Sequence, residues 1–287
     1  MRKADVPSEG GPALNSSPMT TAKGQHALAT AGRQRGVHGL LPPRPRKIVN
    51  AIAITLTDNR LLGALSGSDR ALLKPHCEDV AIGTRQILEA PHKMISHVYF
   101  MTSGLASVVG TTRPKQRIEV GMIGYEGMSG LAVVLGHNRS SNETVIQADG
   151  RALRISRPML RRALRSSPTL MVSFLRYVHV FMMQQSQTAL ANGRARLNER
   201  LARWLLMWQD RLRTSHLIVT HEFLALLLGV SRQGVTVALH ELEGQGLIRG
   251  TRNLIRILDR KGLMALADGF YGVAEAEYEL TIRKRRK

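Results

Sequence analysis

The side chains best suited to chemistry gather between residues 217 and 256. Ser231, Arg232, Gln233 and Thr236 follow closely on Gly229, in a stretch that reads Leu-Gly-Val-Ser-Arg-Gln-Gly-Val-Thr. A guanidinium can make two hydrogen bonds to guanine O6 and N7, and a carboxamide matches adenine in the same way. Arg249, Arg252 and Arg256 come next, cations suited to backbone phosphates rather than to bases. Other chemistries find little to work with. Cys77 is the single cysteine, so one chain supplies neither a disulfide nor a four-thiolate iron–sulfur or zinc site. The ten histidines show no His-x-x-x-His spacing, and no metal site is expected. A glycine-rich phosphate loop and a Gly-x-Ser-x-Gly elbow are both missing, which argues against an enzyme.

The reading groups need elements that hold them. Thr220 is a good N-cap, followed by the apolar face Phe223, Leu224, Leu227 and Leu228. Gly229 falls where a helix ends and a left-handed residue is needed. Ser231 caps a second helix whose inner face is Val235, Ala238, Leu239 and Leu242. Two short helices around a tight turn are the helix-turn-helix layout, in which the second enters the DNA major groove by its N-terminal end. Residues 246–249 and 253–258 then form a hairpin, the wing, and Asp259 caps a helix through residues 261–266. Upstream, residues 198–213 read as an amphipathic helix with Leu201, Leu205 and Trp208 on one face.

The rest of the chain divides by texture. Residues 1–50 hold six of the eleven prolines and no apolar periodicity, the pattern of a disordered basic tail. Residues 51–166 carry strand-length apolar runs punctuated by turns, as in a small antiparallel barrel or sandwich. A long helix follows, from 167 or 168 to about 191, in a segment bounded at 167–192. Its Met171, Phe174, Val178 and Phe181 step by 3, 4 and 3, continue as Gln185 and Thr188, and form the expected dimerisation seam. Residues 193–272 hold the helix-turn-helix and its wing, and 273–287 read as a basic C-terminal tail.

Charge and hydropathy set the setting. Lys and Arg number 41 against 21 Asp and Glu, for a net +20, which favours a polyanionic partner, nucleic acid first and an anionic surface second. The excess is spread along the chain and does not single out the helix-turn-helix. No apolar run reaches the ~20 residues of a membrane helix, and the first 30 residues lack the apolar core of a secretory signal. A cytoplasmic protein without a membrane partner is expected.

Several motifs resemble one family over roughly residues 55–270, the Crp/Fnr-type transcriptional regulators. They are Glu-Arg-Leu-Ala-Arg-Trp-Leu-Leu from 199, Thr-His-Glu-Phe-Leu-Ala-Leu-Leu-Leu-Gly-Val-Ser-Arg from 220, and Ile-Leu-Asp-Arg-Lys-Gly-Leu from 257. Upstream, His-Val-Tyr-Phe from 97 and Gly-Met-Ile-Gly-Tyr-Glu-Gly-Met from 121 look like the family's sensor roll. The resemblance implies an α+β chain: an N-terminal antiparallel β-roll like that of cyclic-nucleotide-binding domains, a long dimerisation helix and a C-terminal winged helix-turn-helix. It implies a homodimer on a pseudo-palindromic double-stranded DNA operator, with RNA polymerase as a further partner. Thr220, Ser231, Arg232, Gln233, Thr236, Arg249 and Arg252 are the DNA-binding residues it points to. Gln233 and Val237 stand where the best-known members have an acidic residue and an arginine, which implies a different recognition site. Effector contacts map to Glu126, to Arg139, Ser140 and Ser141, and to Gln185 and Ser186 on the long helix. No carboxylate stands where the family binds a ribose, so a cyclic nucleotide is disfavoured, and the missing cysteines exclude the iron–sulfur branch. The alternative is an effector-independent DNA-binding or anionic-surface-binding protein with a vestigial sensor.

Overall fold

The computed structural model describes residues 54–112 and 116–282. The tail expected at 1–50 and the basic run at 283–287 lie outside the described residues. Two short helices, α1 (Arg60–Gly63) and α2 (Gly67–Leu73), lead into seven antiparallel strands. One sheet has the order β1 (Glu78–Ile82), β7 (Gly150–Ser156), β3 (His97–Met101). The other runs β2 (Ile87–Glu89), β6 (Glu143–Ala148), β4 (Leu105–Thr111), β5 (Arg117–Ile123). A single-turn helix α3 (Leu131–Val134) lies between β5 and β6, and α4 (Arg157–Ser166) follows β7.

Strand β4 is buried on both faces, and its alternation explains how the molecule is joined. Ala106 and Val108 enter the core of the roll, whereas Leu105 and Val109 enter a second core built by the C-terminal helices. The roll and the helix-turn-helix therefore share apolar surface instead of meeting through a linker.

Helix α5 (Pro168–Arg194) starts where the sequence places it, with Ser167 as N-cap, its Oγ accepting from the Leu170 amide at 3.2 Å. Asp69 of α2 accepts from Ser167 and Thr169 at 2.5 and 2.9 Å, bringing a negative charge to the positive end of the helix. The stripe expected as a dimer seam goes elsewhere. Phe174, Val178 and Phe181 are buried in the chain's own roll core, Met171 packs partly against it, and Thr188 is buried beside Arg203. On α5 two adjacent stripes share the 3–4 spacing, and the roll claims the one carrying the aromatic rings. Burying each of these large side chains is worth about 1.5–3 kcal/mol. The neighbouring stripe stays in solvent, with Val172 44%, Leu175 41%, Met182 58% and Leu190 46% exposed. Gln185 belongs to neither: Gln184 turns inward, accepting from the Met122 amide at 2.6 Å and donating to its carbonyl at 3.2 Å. Gly121 permits this approach, since a Cβ there would stand 2.6 Å from the Phe181 ring.

After α5 come α6 (Leu197–Leu212), β8 (His216–Ile218), α7 (His221–Leu228), α8 (Arg232–Gly244), β9 (Ile248–Thr251), β10 (Leu254–Ile257), α9 (Arg260–Leu266) and α10 (Val273–Ile282). The last corrects the reading of 273–287 as a tail. Ala274, Tyr278 and Ile282 recur every four residues and are buried, with α10 lying against α5. The basic run at 283–287 dominates the charge of this stretch, but the helix itself carries Glu275, Glu277 and Glu279 and no base. Among the described residues no single helix is long and apolar enough to cross a membrane.

Candidate nucleic-acid interface

Helix α6 is the floor of the DNA-binding unit. Leu201, Leu205, Trp204 and Trp208 are buried, and the two indoles meet edge to face with centroids 4.4 Å apart. Against this floor α7 and α8 meet at 106°, inside the range of helix-turn-helix pairs. Gly229 makes the turn in the left-handed region, φ +65°, where a Cβ would cost roughly 1–2 kcal/mol. Both caps form as the sequence indicates: the Thr220 hydroxyl accepts from the Phe223 amide at 3.2 Å and Ser231 from Gly234 at 3.0 Å. Val235, Ala238, Leu239 and Leu242 are buried, which fixes the opposite face of α8 toward solvent.

That outward face carries Arg232, Gln233, Val237, His240 and Glu241, all exposed. Its only base apart from His240 lies in the first turn and its acids, Glu241 and Glu243, in the last turns, so the N-terminal end is the positive one. The Arg232 side chain is 68% exposed and its Nε lies 2.5 Å from Glu222 Oε1. This clamp was not foreseen; the signal was an acid just after the α7 N-cap. Thr236 is half-buried, 2.9 Å from His221 Nδ1 and donating to the Arg232 carbonyl at 3.1 Å. A sheet of order β8-β10-β9 forms the wing, with Asn253 in the left-handed region at φ +60°. Glu243 Oε1 accepts from the Gly250 amide at 3.2 Å and ties the wing to α8. Arg249, Arg252 and Arg256 are all exposed. Ser231, Arg232 and Gln233 thus share one surface, with the wing arginines on the adjoining hairpin. Thr220 instead spends its hydroxyl on the cap.

The proposed effector residues are not brought together. Glu126 lies against the C-terminal half of the molecule, its Oε1 2.9 Å from Arg211 Nε. Arg139, Ser140 and Ser141 belong to the loop before β6, where Arg139 bridges Met94 and the Ser140 carbonyl accepts from the His92 amide. Gln185 is half-buried and Ser186 exposed on α5. The carboxylate that does enter the roll is Glu89. It accepts from the Gly130 amide at 2.7 Å, at the start of α3, and from Thr144 Oγ1 at 3.2 Å. Burial pushes its pKa up against those two hydrogen bonds. An internal carboxylate so placed gives the Gly130 amide a partner from within the chain.

A second contact, without a signal in the sequence, joins the roll to the helix-turn-helix domain. Glu119 of β5 is buried and accepts from Trp204 Nε1 of α6 at 3.0 Å and from Ser107 of β4. Burial pushes its pKa up to about 7, against the hydrogen bonds of Ser107 and Trp204 and the charges of Arg211 and Arg203. Next to it Ile118 touches the helix-turn-helix turn, 3.0 Å from where a Gly229 Cβ would be. Sequence offered no signal for either contact, since a lone Glu in a strand usually faces water.

Comparisons agree with this geometry. Residues 199–266 match the family model of the Crp-like helix-turn-helix domain. No curated protein matches the chain. Among solved structures, one from Eubacterium rectale described as a regulator of the crp/fnr family is similar at TM-score 0.59 and 18% identity, over 74% of this chain and 99% of that one. The c-di-GMP responsive global regulator CLP of Xanthomonas campestris is similar at TM-score 0.57 and 16% identity, over 68% and 100%. FixK2 of Bradyrhizobium japonicum gives TM-score 0.57 and 16% identity, over 66% and 96%. Residues 199–266 thus match a Crp-like helix-turn-helix domain, and the chain shares the fold of solved Crp/Fnr regulators.

Proposed function

We propose that the chain acts as a cytoplasmic homodimer that reads a pseudo-palindromic operator, one half-site per subunit. Arg232 and Gln233 at the exposed N-terminal end of α8 face the base edges, Ser231 and Thr236 flank them, and Arg249, Arg252 and Arg256 hold the phosphates. One observation carries this reading: the α8 surface left free by Val235, Ala238, Leu239 and Leu242 is the one bearing these groups. Reading requires Arg232 to exchange Glu222 for guanine, and at 68% exposure that ion pair is cheap to break.

Dimerisation uses the exposed α5 stripe of Val172, Leu175, Met182 and Leu190 together with His179 and Ser186. The two recognition helices would then stand about one DNA turn apart, ~34 Å. RNA polymerase is the downstream partner of the bound dimer. A cyclic nucleotide is disfavoured as its effector, and the buried Glu89 carboxylate on the Gly130 amide supports that reading.

The test is a DNA competition with randomised sites. Recovery of an inverted repeat by the wild type, and loss of preference at one base pair of each half-site on Arg232→Ala, supports the reading. Binding without sequence preference at physiological salt refutes it in favour of a non-specific polyanion binder.

A further inference from the structure

A cavity of about 300 Å³ lies where the roll, α5, α6 and α10 meet. It lies outside the roll, and one wall is α10, which follows the family-matched segment 199–266. Tyr125, Tyr177, Phe181, Tyr271 and Tyr278 give it aromatic walls. Three of these rings already hold a guanidinium: Arg213 lies 3.5 Å from the Tyr125 centroid, Arg60 4.9 Å from Tyr278 and Arg260 5.8 Å from Tyr271.

In a chain of net charge +20 the residues lining this cavity include four carboxylates against two guanidiniums. Arg60 pairs with Glu279, Arg211 with Glu126, and Asp210 with Arg260 beyond the lining. Glu275 remains. Its Oε2 accepts from the Gly272 amide at 3.0 Å, and among the described residues no cation lies within ion-pair distance of it. The guanidiniums whose charges act on it, Arg203 and Arg211, are engaged by the Phe270 carbonyl and by Glu126. Glu126 Oε2 is buried with no hydrogen-bond donor among the described residues. Aromatic walls, a carboxylate with no direct ion pair among the described residues and a second with an unused acceptor together match a group that is cationic, carries several N–H donors and sits beside a ring.

We propose that this cavity is an effector site for a small aromatic amine, its ammonium held by Glu275 and the free oxygen of Glu126 and its ring against Tyr177 and Phe181. The inference rests on the regulator reading above only in calling the ligand an effector. A ligand there touches the sensor turn that holds Tyr125 and Glu126, the long helix, and the elements that carry the reading head. It therefore acts on their relative packing through its differential affinity for the two arrangements.

The experiment is calorimetric titration of the full chain with tyramine, alongside 4-methylphenol, which lacks the charge, and 4-hydroxyphenylacetate, which inverts it. One tyramine per chain is expected, at least tenfold tighter than either control. Glu275→Gln should weaken it at least tenfold, and Ala274→Leu, which fills the cavity from α10, should abolish it. Circular dichroism and operator binding of both variants are measured in parallel. No tyramine binding at ~10 mM, the scale of a very weak site, overturns the proposal, as does tighter binding of the anion or unchanged affinity in Glu275→Gln. Intact operator binding with any of those results leaves the regulator reading standing; tyramine binding by a protein without sequence-specific DNA affinity overturns that reading instead.

Discussion

The buried link between Glu119 and Trp204 makes this protein's stability sensitive to pH in a defined window. A carboxyl group that titrates near 7 folded and near 4.5 unfolded binds its proton more tightly in the folded state. Between those values the folded protein holds a proton that the unfolded chain has released, so stability falls as pH rises. The contribution is complete below about pH 4.5 and lost above about pH 7. A shift of this size is worth roughly 3 kcal/mol, at 1.36 kcal/mol for each pH unit. Glu119→Gln keeps an acceptor for Trp204 Nε1 but cannot titrate. The stability of wild type minus that of the variant should therefore drop by roughly 3 kcal/mol between pH 4.5 and 8. The assay is urea unfolding across that range, followed by tryptophan emission. The chain has two tryptophans, and both lie on α6 within one ring contact, so the signal reports this interface. A difference that stays flat with pH refutes the reasoning: the carboxylate would then be solvated, and the sensor would not be coupled to α6 through it.

Other outcomes follow from the same geometry. Arg232→Ala should cost about 1–3 kcal/mol at one base pair per half-site, read as a loss of discrimination in mobility shifts with single-base operator variants. Met182→Glu on the exposed stripe of α5 should give monomers by sedimentation with an unchanged helical spectrum. Phe174→Ala, inside the roll core, should instead lower stability by about 3–5 kcal/mol, and equal effects of the two would put the seam in the wrong place. Gly229→Ala strains the turn at φ +65° and crowds Ile118; it should lower the melting temperature and weaken operator binding together. Removing residues 1–50, with eight basic and two acidic side chains, should weaken salt-sensitive background binding more than specific binding.

Much of the reading head was legible in the sequence because its signals are local. Thr220, Gly229 and Ser231 mark helix ends through hydrogen bonds and backbone angles that span three or four residues. The apolar period between them settles which face of α8 is buried and, by elimination, that Arg232 and Gln233 face outward. Most strands of the roll were legible for the same reason, but β1 (Glu78–Ile82) was not, because only Ile82 in it is buried. Which face of α5 is buried was not legible: a 3–4 spacing fits two neighbouring stripes, and only the shape of the roll decides that Phe174 and Phe181 go inward while Leu175 and Met182 stay out. Helix α10 was hidden in the same way, since its four-residue apolar period has meaning only once α5 supplies a surface.

By itself, then, the sequence determined the helix-turn-helix and which of its side chains are left to face outward. These rest on short-range geometry, which survives wherever the segment is placed. The tertiary structure alone decided that Glu119 meets Trp204 across 85 residues, that Glu89 takes the Gly130 amide inside the roll, and that five aromatic rings line one cavity. Contacts of that kind depend on which surfaces the chain buries together. No local pattern records them, because their energy comes from desolvation, and desolvation exists only after the two partners have been packed.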